Sequence, residues 1–257
     1  MVAQLQGIRA IYFDLDDTLC GYWDASKRGL RLTFENHGPD GYTVDELIRH
    51  WAASFREFAP DLKNTTWYEG YLRNGEPTRT EQMRRTLARI GIEDMELASR
   101  LSRAYMEERD RALGLFPDAI EVLDTLAATY PLGLITNGPA DVQRQEIATL
   151  RIAPFFRNIF IEGEMGEGKP SKAVFDRAAS IVDCQPNEVL MVGNSLGHDV
   201  RAALDNGWHA IWIRRDSDVP PSADGDSPKL EQLPTKPPYP DATIEALIEL
   251  LPLLGLN

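Results

Sequence analysis

Five short apolar runs limit what this chain can become: Ile8 to Phe13, Pro131 to Ile135, Asn158 to Ile161, Val189 to Val192 and His209 to Ile213. Each has the length of a strand, and from about Ile120 onward helix-like segments separate them. Strands joined through helices pair in parallel, and the helices then cover both faces of the sheet. The expected fold class is therefore α/β, with a parallel sheet at its centre.

The interval between the first and second runs breaks that rhythm. From Trp23 to about Leu113 the segments VDELIRHWAASFREF, EQMRRTLARI and MELASRLSRAYMEERDRAL place apolar residues three and four apart, the period of a helix buried on one face. This reads as a helical insertion, residues 22–113, in a core domain made of residues 1–21 and 114–257. Gly91 suits the end of the middle helix, and Phe116-Pro117-Asp118 suits a fresh helix start where the chain re-enters the core. Residues 216–240, rich in Pro, Asp and Ser, are expected to form an exposed or partly disordered loop. DATIEALIELLPLL should then form an amphipathic helix docked on the sheet.

Composition narrows the partners. The formal net charge is −13 and the longest basic clusters are pairs such as Arg84-Arg85 and Arg214-Arg215, which argues against nucleic acid and anionic membrane surfaces. Cys20 and Cys184 are far apart and lack metal-ligand spacing, so both are expected as free thiols in a reducing compartment. No stretch reaches the roughly 18 apolar residues of a membrane span, and MVAQLQGIRA lacks the pattern of a secretory signal. The expectation is a soluble, cytoplasmic monomer or homodimer.

Asp14, Asp16 and Asp17 close the first run. An Asp-rich turn after a strand accounts for such a cluster taken alone. This strand, however, is expected at the sheet's centre, and ligand sites in open α/β sheets lie at the carboxyl ends of strands. Carboxylates crowded into one cleft also call for a cation.

Asp14-Leu15-Asp16-Asp17-Thr18 resembles the first motif, D-x-D-x-T, of the haloacid dehalogenase-like (HAD) superfamily of phosphatases, and three further motifs follow in that family's order. Thr136, closing the run LGLIT, matches the second. Lys169 in GEMGEGKPSKAVF matches the third. The same stretch nearly spells a phosphate loop from Gly163 to Lys169, but Pro170 stands where a metal-binding hydroxyl is needed. The fourth motif, usually G-D with a second Asp a few residues on, departs from the pattern: Gly193-Asn194-Ser195-Leu196-Gly197-His198-Asp199 keeps the later carboxylate but replaces the first by an amide.

What the resemblance implies is a Rossmann-like core with a C1-type helical cap that closes over the site, hinged at Gly21 and Arg111 to Leu115. It implies a Mg²⁺-dependent phosphatase acting on a small phosphorylated metabolite, of the sugar phosphate or nucleotide monophosphate class, through an aspartyl-phosphate. Asp14 is the implied nucleophile and Asp16 the acid and base. Thr136, the Asn137 amide and Lys169 bind the phosphoryl group. Asp14, the Asp16 carbonyl and Asn194 hold the metal, with Asp199 behind them. An amide coordinates magnesium without contributing charge, so weak metal binding follows. Tyr22, Trp23, Trp67, Tyr68, Tyr71 and Arg73 are candidate substrate contacts. His198 is read as a loop residue, and His37, His50 and His209 have no identified partners. The alternatives are a phosphosugar mutase using the same carboxylate pair, and a catalytically silent homologue that binds a phosphorylated ligand or a protein.

Overall fold

The computed structural model describes residues 4–222 and 231–256. Strands β1 (Ala10–Phe13), β2 (Leu132–Thr136), β3 (Asn158–Ile161), β4 (Val189–Gly193), β5 (His209–Ile213) and β6 (Ala242–Ile244) form one sheet in the order β3-β2-β1-β4-β5-β6. Every pairing is parallel. The α/β class holds, and the five apolar runs became the first five strands.

Side chains alternate across the sheet, and both faces are covered, which is why the strands read as nearly continuous apolar runs. Ile11 and Phe13 of β1 join Leu134, Val192 and Ile211 under a helix at Ala119–Ala127. Ala10 and Tyr12 point the other way, toward Phe175 and Ala178 of the helix Lys172–Ile181, and the Tyr12 hydroxyl donates to the Ala178 carbonyl at 2.8 Å.

Chain order places β1 between β2 and β4, where the winding of the sheet reverses. The carboxyl ends of these three strands therefore diverge around a crevice.

From Tyr22 to Ala112 the chain is helical with short connections: α1 (Tyr22–His37), α2 (Val44–Phe58), α3 (Trp67–Arg73), α4 (Glu76–Ala88) and α5 (Met95–Ala112). Thr43 and Glu46 cap α2 reciprocally. Gly91, at φ 77°, follows α4 in a left-handed turn. These helices enclose an apolar cluster of their own, including Leu30, Trp51, Met83, Leu87 and Leu101. Helices α1 and α5 approach closely at Gly29, where a Cβ would lie 2.8 Å from the Arg109 nitrogen. The two segments that join this unit to the sheet run side by side, with the Gly21 N–H donating to the Gly114 carbonyl at 3.1 Å.

The C-terminal expectation needs correction. DATIEALIELLPLL is not one amphipathic helix: Ala242–Ile244 is the edge strand β6, followed by a 3₁₀ turn at Leu247–Glu249 and one helical turn at Leu250–Leu253. Asp241 decides this by exchanging main-chain and side-chain bonds with Ala210 of β5, each at 2.8 Å, which registers the following residues as a strand. The same carboxylate lies 3.2 Å from His209 Nδ1, so this histidine has a partner after all. In the loop expected over 216–240, residues 223–230 lie outside the described residues. Its first part is not simply exposed, because Asp218 is half-buried against Asn194.

Candidate active site

The loop after β1 presents the clustered aspartates by winding tightly. Asp14 N–H donates to the Val192 carbonyl at 3.0 Å, which carries the sheet ladder to the last residue before the turn. Asp17 adopts a left-handed conformation, φ 55°. Its carboxylate accepts from the Trp23 N–H at 3.2 Å, satisfying an unpaired donor in the first turn of α1 that Gly21 has no side chain to reach. Burial, then the charges of Asp218 and Asp16, push the Asp17 carboxyl up to about 9. The cluster therefore does not put three equal charges into the crevice.

Lys169 organises the centre. Its ammonium is 2.6 Å from Asp14 Oδ1 and 2.5 Å from Asp199 Oδ1, and the side chain is almost fully buried. Burial alone would lower its pKa, but the two carboxylates outweigh that and raise it. Burial raises the Asp14 carboxyl, and Lys169 pulls it partly back.

The lysine is held in turn by Asn137, whose amide nitrogen donates to the Lys169 carbonyl at 2.7 Å and whose amide oxygen accepts from the Lys169 N–H at 2.8 Å. This side-chain clamp was not expected from the sequence, which pointed only to the Asn137 main chain. Asp199 keeps its second oxygen on the Ser195 N–H at 2.9 Å. Gly193 is required beside it, since a Cβ there would lie 2.3 Å from Asp199 Oδ2.

Asp16 belongs to a separate network that the sequence did not reveal. Gln143, on the helix Ala140–Leu150, accepts from Thr136 Oγ1 at 2.6 Å and donates to Asp16 Oδ2 at 3.2 Å and to Glu146 at 2.9 Å. Glu146 is buried and pairs with Arg109 of α5 at 2.8 Å. Burial, then the Asp14 charge, raises the Asp16 carboxyl to about 6. Burial and the Asp16 charge raise Glu146 well above the usual carboxylate range. The Thr136 hydroxyl thus spends its proton on Gln143 and keeps its lone pairs for other donors.

On the opposite side, the Thr18 hydroxyl lies 3.2 Å from Asp14 Oδ2 and 3.3 Å from Asn194 Oδ1, and accepts from the Asn194 N–H at 3.1 Å. One carboxylate oxygen and one amide oxygen thereby converge on a single hydroxyl. Among the described residues no group of three or more His, Cys, Asp or Glu could hold a metal. Convergent hard oxygens of this kind nevertheless suit magnesium, which takes few protein ligands and keeps water and substrate oxygens for the rest. The donor set fits.

Asp14, Asp16, Thr136, Asn137, Lys169, Asn194 and Asp199 border one cavity of about 470 Å³ that runs from the strand ends up into the helical segment, and Thr18, Gln143 and Glu146 stand behind them. Its upper wall is largely aromatic: Tyr22, Trp23, Trp51, Phe55, Phe58 and Tyr71 border it, with Thr78, Arg79, Gln82 and Arg109 as polar exceptions. The rings of Trp51 and Phe55 stack at 5.1 Å, and Trp23 meets Phe55 edge-on at 5.7 Å.

Of the other candidate substrate contacts, Tyr68 is engaged with Glu162 at 2.7 Å and exposed Arg73 with Glu69 at 3.1 Å, while Trp67 borders a different surface depression. His198 borders the main cavity from a helical turn, Leu196–Arg201, not from a loop, and burial lowers its pKa. Buried Glu162 ties the helical segment down by accepting from Lys63 at 2.6 Å and Tyr68, and from the Gly138 N–H at 2.9 Å. The near phosphate loop is accordingly used for packing, and its first glycine, Gly163, sits against Leu72 and Ala140.

Residues 11–213 match the family described as haloacid dehalogenase-like hydrolase. The chain is 25% identical over 228 residues to N-acylneuraminate-9-phosphatase from Rattus norvegicus, covering 84% of this chain and 86% of that protein. It is 29% identical over 224 residues to phosphoserine phosphatase from Thermus thermophilus, covering 81% and 89%. In fold it is similar to the putative HAD-hydrolase YfnB from Bacillus subtilis, solved bound to magnesium, with a TM-score of 0.71 at 20% identity over 98% of this chain and 100% of that one.

Proposed function

The chain belongs to the haloacid dehalogenase-like hydrolase family, and from that premise we propose that it is a magnesium-dependent phosphatase for small phosphate monoesters whose leaving group joins a flat part to polar groups. The observation that carries the reading is the division of the aspartates. Asp14 faces Lys169, while Asp16, on the same cavity, answers to the Gln143–Glu146 network. Both carboxyls are raised to about 6, so their different partners, not their acidity, suit them to different tasks.

Asp14 attacks phosphorus, forming a P–O bond as the ester oxygen departs with a proton from Asp16. Asp16, now ionised, takes a proton from the water that attacks the aspartyl-phosphate, releasing inorganic phosphate and regenerating Asp14. Lys169 and the Asn137 main-chain amide offset charge on the equatorial oxygens, and Thr136 joins them by turning its hydroxyl proton away from Gln143. Asp14, the Asp16 carbonyl and Asn194, with Asp199 behind them, would hold magnesium, which would supply a Lewis acid that reduces repulsion between carboxylate and phosphate. A halide leaving group needs no proton, so an acid poised at Asp16 favours an ester over a haloacid as substrate.

The helical segment 22–113 acts as the cap, and its aromatic wall receives the leaving group. Trp23, Phe55 and Phe58 give the cavity apolar surface, and beside them Trp51 Nε1, Gln82 Oε1, Arg79 Nε and Arg109 Nε have no hydrogen-bond partner among the described residues and can meet polar groups of the leaving group. This favours a leaving group that joins a planar part to hydrogen-bonding groups, as nucleoside phosphates do. Phosphate release from a panel of aryl, nucleoside and sugar phosphates tests the reading. Release should require magnesium, vanish in Asp14→Asn and be faster for the nucleoside than for the sugar phosphates. Near-normal release by Asp14→Asn would remove the mechanism, and an isomeric phosphate as product would replace it with a mutase.

A further inference from the structure

Asn194 places an amide where the metal-facing side of the site would otherwise have a carboxylate, and the fold brings a carboxylate to it from elsewhere. Asp218, in the loop after β5, accepts from Asn194 Nδ2 at 2.8 Å. We propose that Asp218 is a positioning residue for the metal site: it supplies from outside the motif the negative charge that Asn194 lacks, and it fixes the amide so that the oxygen faces Asp14.

The geometry leaves Asn194 little freedom. Its N–H donates to Thr18 Oγ1 at 3.1 Å and its carbonyl accepts from Trp212 Nε1 at 2.7 Å, so the main chain is held from both sides. Only rotation of the amide group remains. A carboxylate accepts hydrogen bonds and does not donate them, so Asp218 selects the orientation with nitrogen toward itself and oxygen toward Thr18 and Asp14. The opposite orientation would set two oxygens against each other and turn N–H groups toward the place of a cation.

Asp218 is itself anchored to the catalytic loop. Its N–H donates to the Arg215 carbonyl at 3.1 Å. The Arg215 guanidinium reaches the Thr18 carbonyl at 3.4 Å and the Glu245 carbonyl at 2.9 Å, and lies 3.8 Å over the Phe116 ring. The loop that carries Asp218 is therefore tied through Arg215 to the loop that carries Asp14.

The proposal rests on the metal-dependent reading, and charge exchange separates the two. Asp218→Asn keeps an acceptor for Asn194 but removes the charge, and should weaken magnesium binding about tenfold, the scale set by one charge a few ångströms from a divalent ion. Adding Asn194→Asp to that variant moves the charge into the motif and should return the affinity to within about threefold of wild type. In metal-free protein, Asn194→Asp alone sets two carboxylates in contact and should lower the melting temperature by several degrees, and Asp218→Asn should reverse that loss.

Calorimetry with magnesium, in the presence and absence of inorganic phosphate, together with thermal melting in chelator, reads all of these. Wild-type affinity in Asp218→Asn, no recovery in the exchanged pair, or no melting change in Asn194→Asp would overturn this proposal alone. A wild-type protein that takes up no magnesium with or without phosphate would overturn the metal-dependent reading with it.

Discussion

Replacing Lys169 by Met should abolish phosphatase activity and destabilise the fold strongly at alkaline pH but weakly at acidic pH. The lysine is 2% exposed and lies 2.6 Å from Asp14 and 2.5 Å from Asp199. Its removal leaves two buried carboxylates facing each other without a cation, and breaking a buried pair in this way costs about 3 to 5 kcal/mol. Protonation sets a ceiling, because the variant can neutralise one aspartate at about 1.4 kcal/mol per pH unit above an ordinary value of about 3.9. That ceiling is about 5.6 kcal/mol near pH 8 and about 1.5 kcal/mol near pH 5. The sign follows from linkage: the folded variant holds a proton that the unfolded chain has lost, so the missing stability returns as pH falls toward the unfolded value. Urea unfolding of both proteins in chelator at the two pH values measures the difference. An equal loss at both, or a loss below about 1 kcal/mol near pH 8, the range of an exposed pair, would show that Lys169 does not compensate two buried charges.

For an alkyl phosphate, whose alkoxide needs a proton, kcat/KM should fall as pH rises through the raised Asp16 value of about 6, while an aryl phosphate with a stable leaving anion should lack that limb. Identical profiles would take the acid role from Asp16. Asp17→Asn should stabilise the protein at neutral pH by about 2 kcal/mol or more, because burial holds this carboxyl near 9 and the amide keeps an acceptor for the Trp23 N–H. The gain should vanish below about pH 4, where the unfolded aspartate is also protonated, and chemical unfolding at several pH values checks it. Gly193→Ala should lower both the melting temperature and kcat, since its Cβ would lie 2.3 Å from Asp199 Oδ2 and must push Asp199 off Lys169. Unchanged turnover would show that the contact between Asp199 and Lys169 is dispensable.

How much of the site was legible depended on how each residue reaches it. Asp14 and Thr136 sit at strand ends, where an apolar run that stops at a polar residue marks the position in the sequence itself, whereas Lys169 and Asp199 lie beyond the ends of β3 and β4 and were legible only through the resemblance of their motifs. Gln143 and Glu146 lie three apart on one helix face, but ADVQRQEIATL has other polar residues, and only docking against β2 decides which of them turn inward. Arg109 is hidden in the charged run MEERDRAL for the same reason. The C-terminal strand was misread because LIELLPLL dominates the apolar periodicity, whereas three residues, Ala242–Ile244, and the Asp241 exchange with Ala210 settle the local structure.

The reading of Asn194 shows what a motif leaves out. Counted along the chain, the fourth motif has lost a negative charge, and weak metal binding follows. Counted in space, a carboxylate stands 2.8 Å from the amide, delivered by a Pro- and Asp-rich stretch that composition marks as loop. A divalent ion responds to the charges around it whatever their sequence position, so the relevant sum includes Asp218. The two arrangements still differ in one respect. A carboxylate at 194 would offer the ion a charged ligand directly, whereas the present pair offers a neutral oxygen backed by a charge one residue further out. Affinity should then fall less than the motif implies, while exchange of the ion should be faster than with a direct carboxylate, because the bond to be broken is to an uncharged ligand. Magnesium dissociation measured in wild type and in the exchanged pair should show the faster rate in wild type, at similar affinity; equal rates would place the ion off position 194 in both.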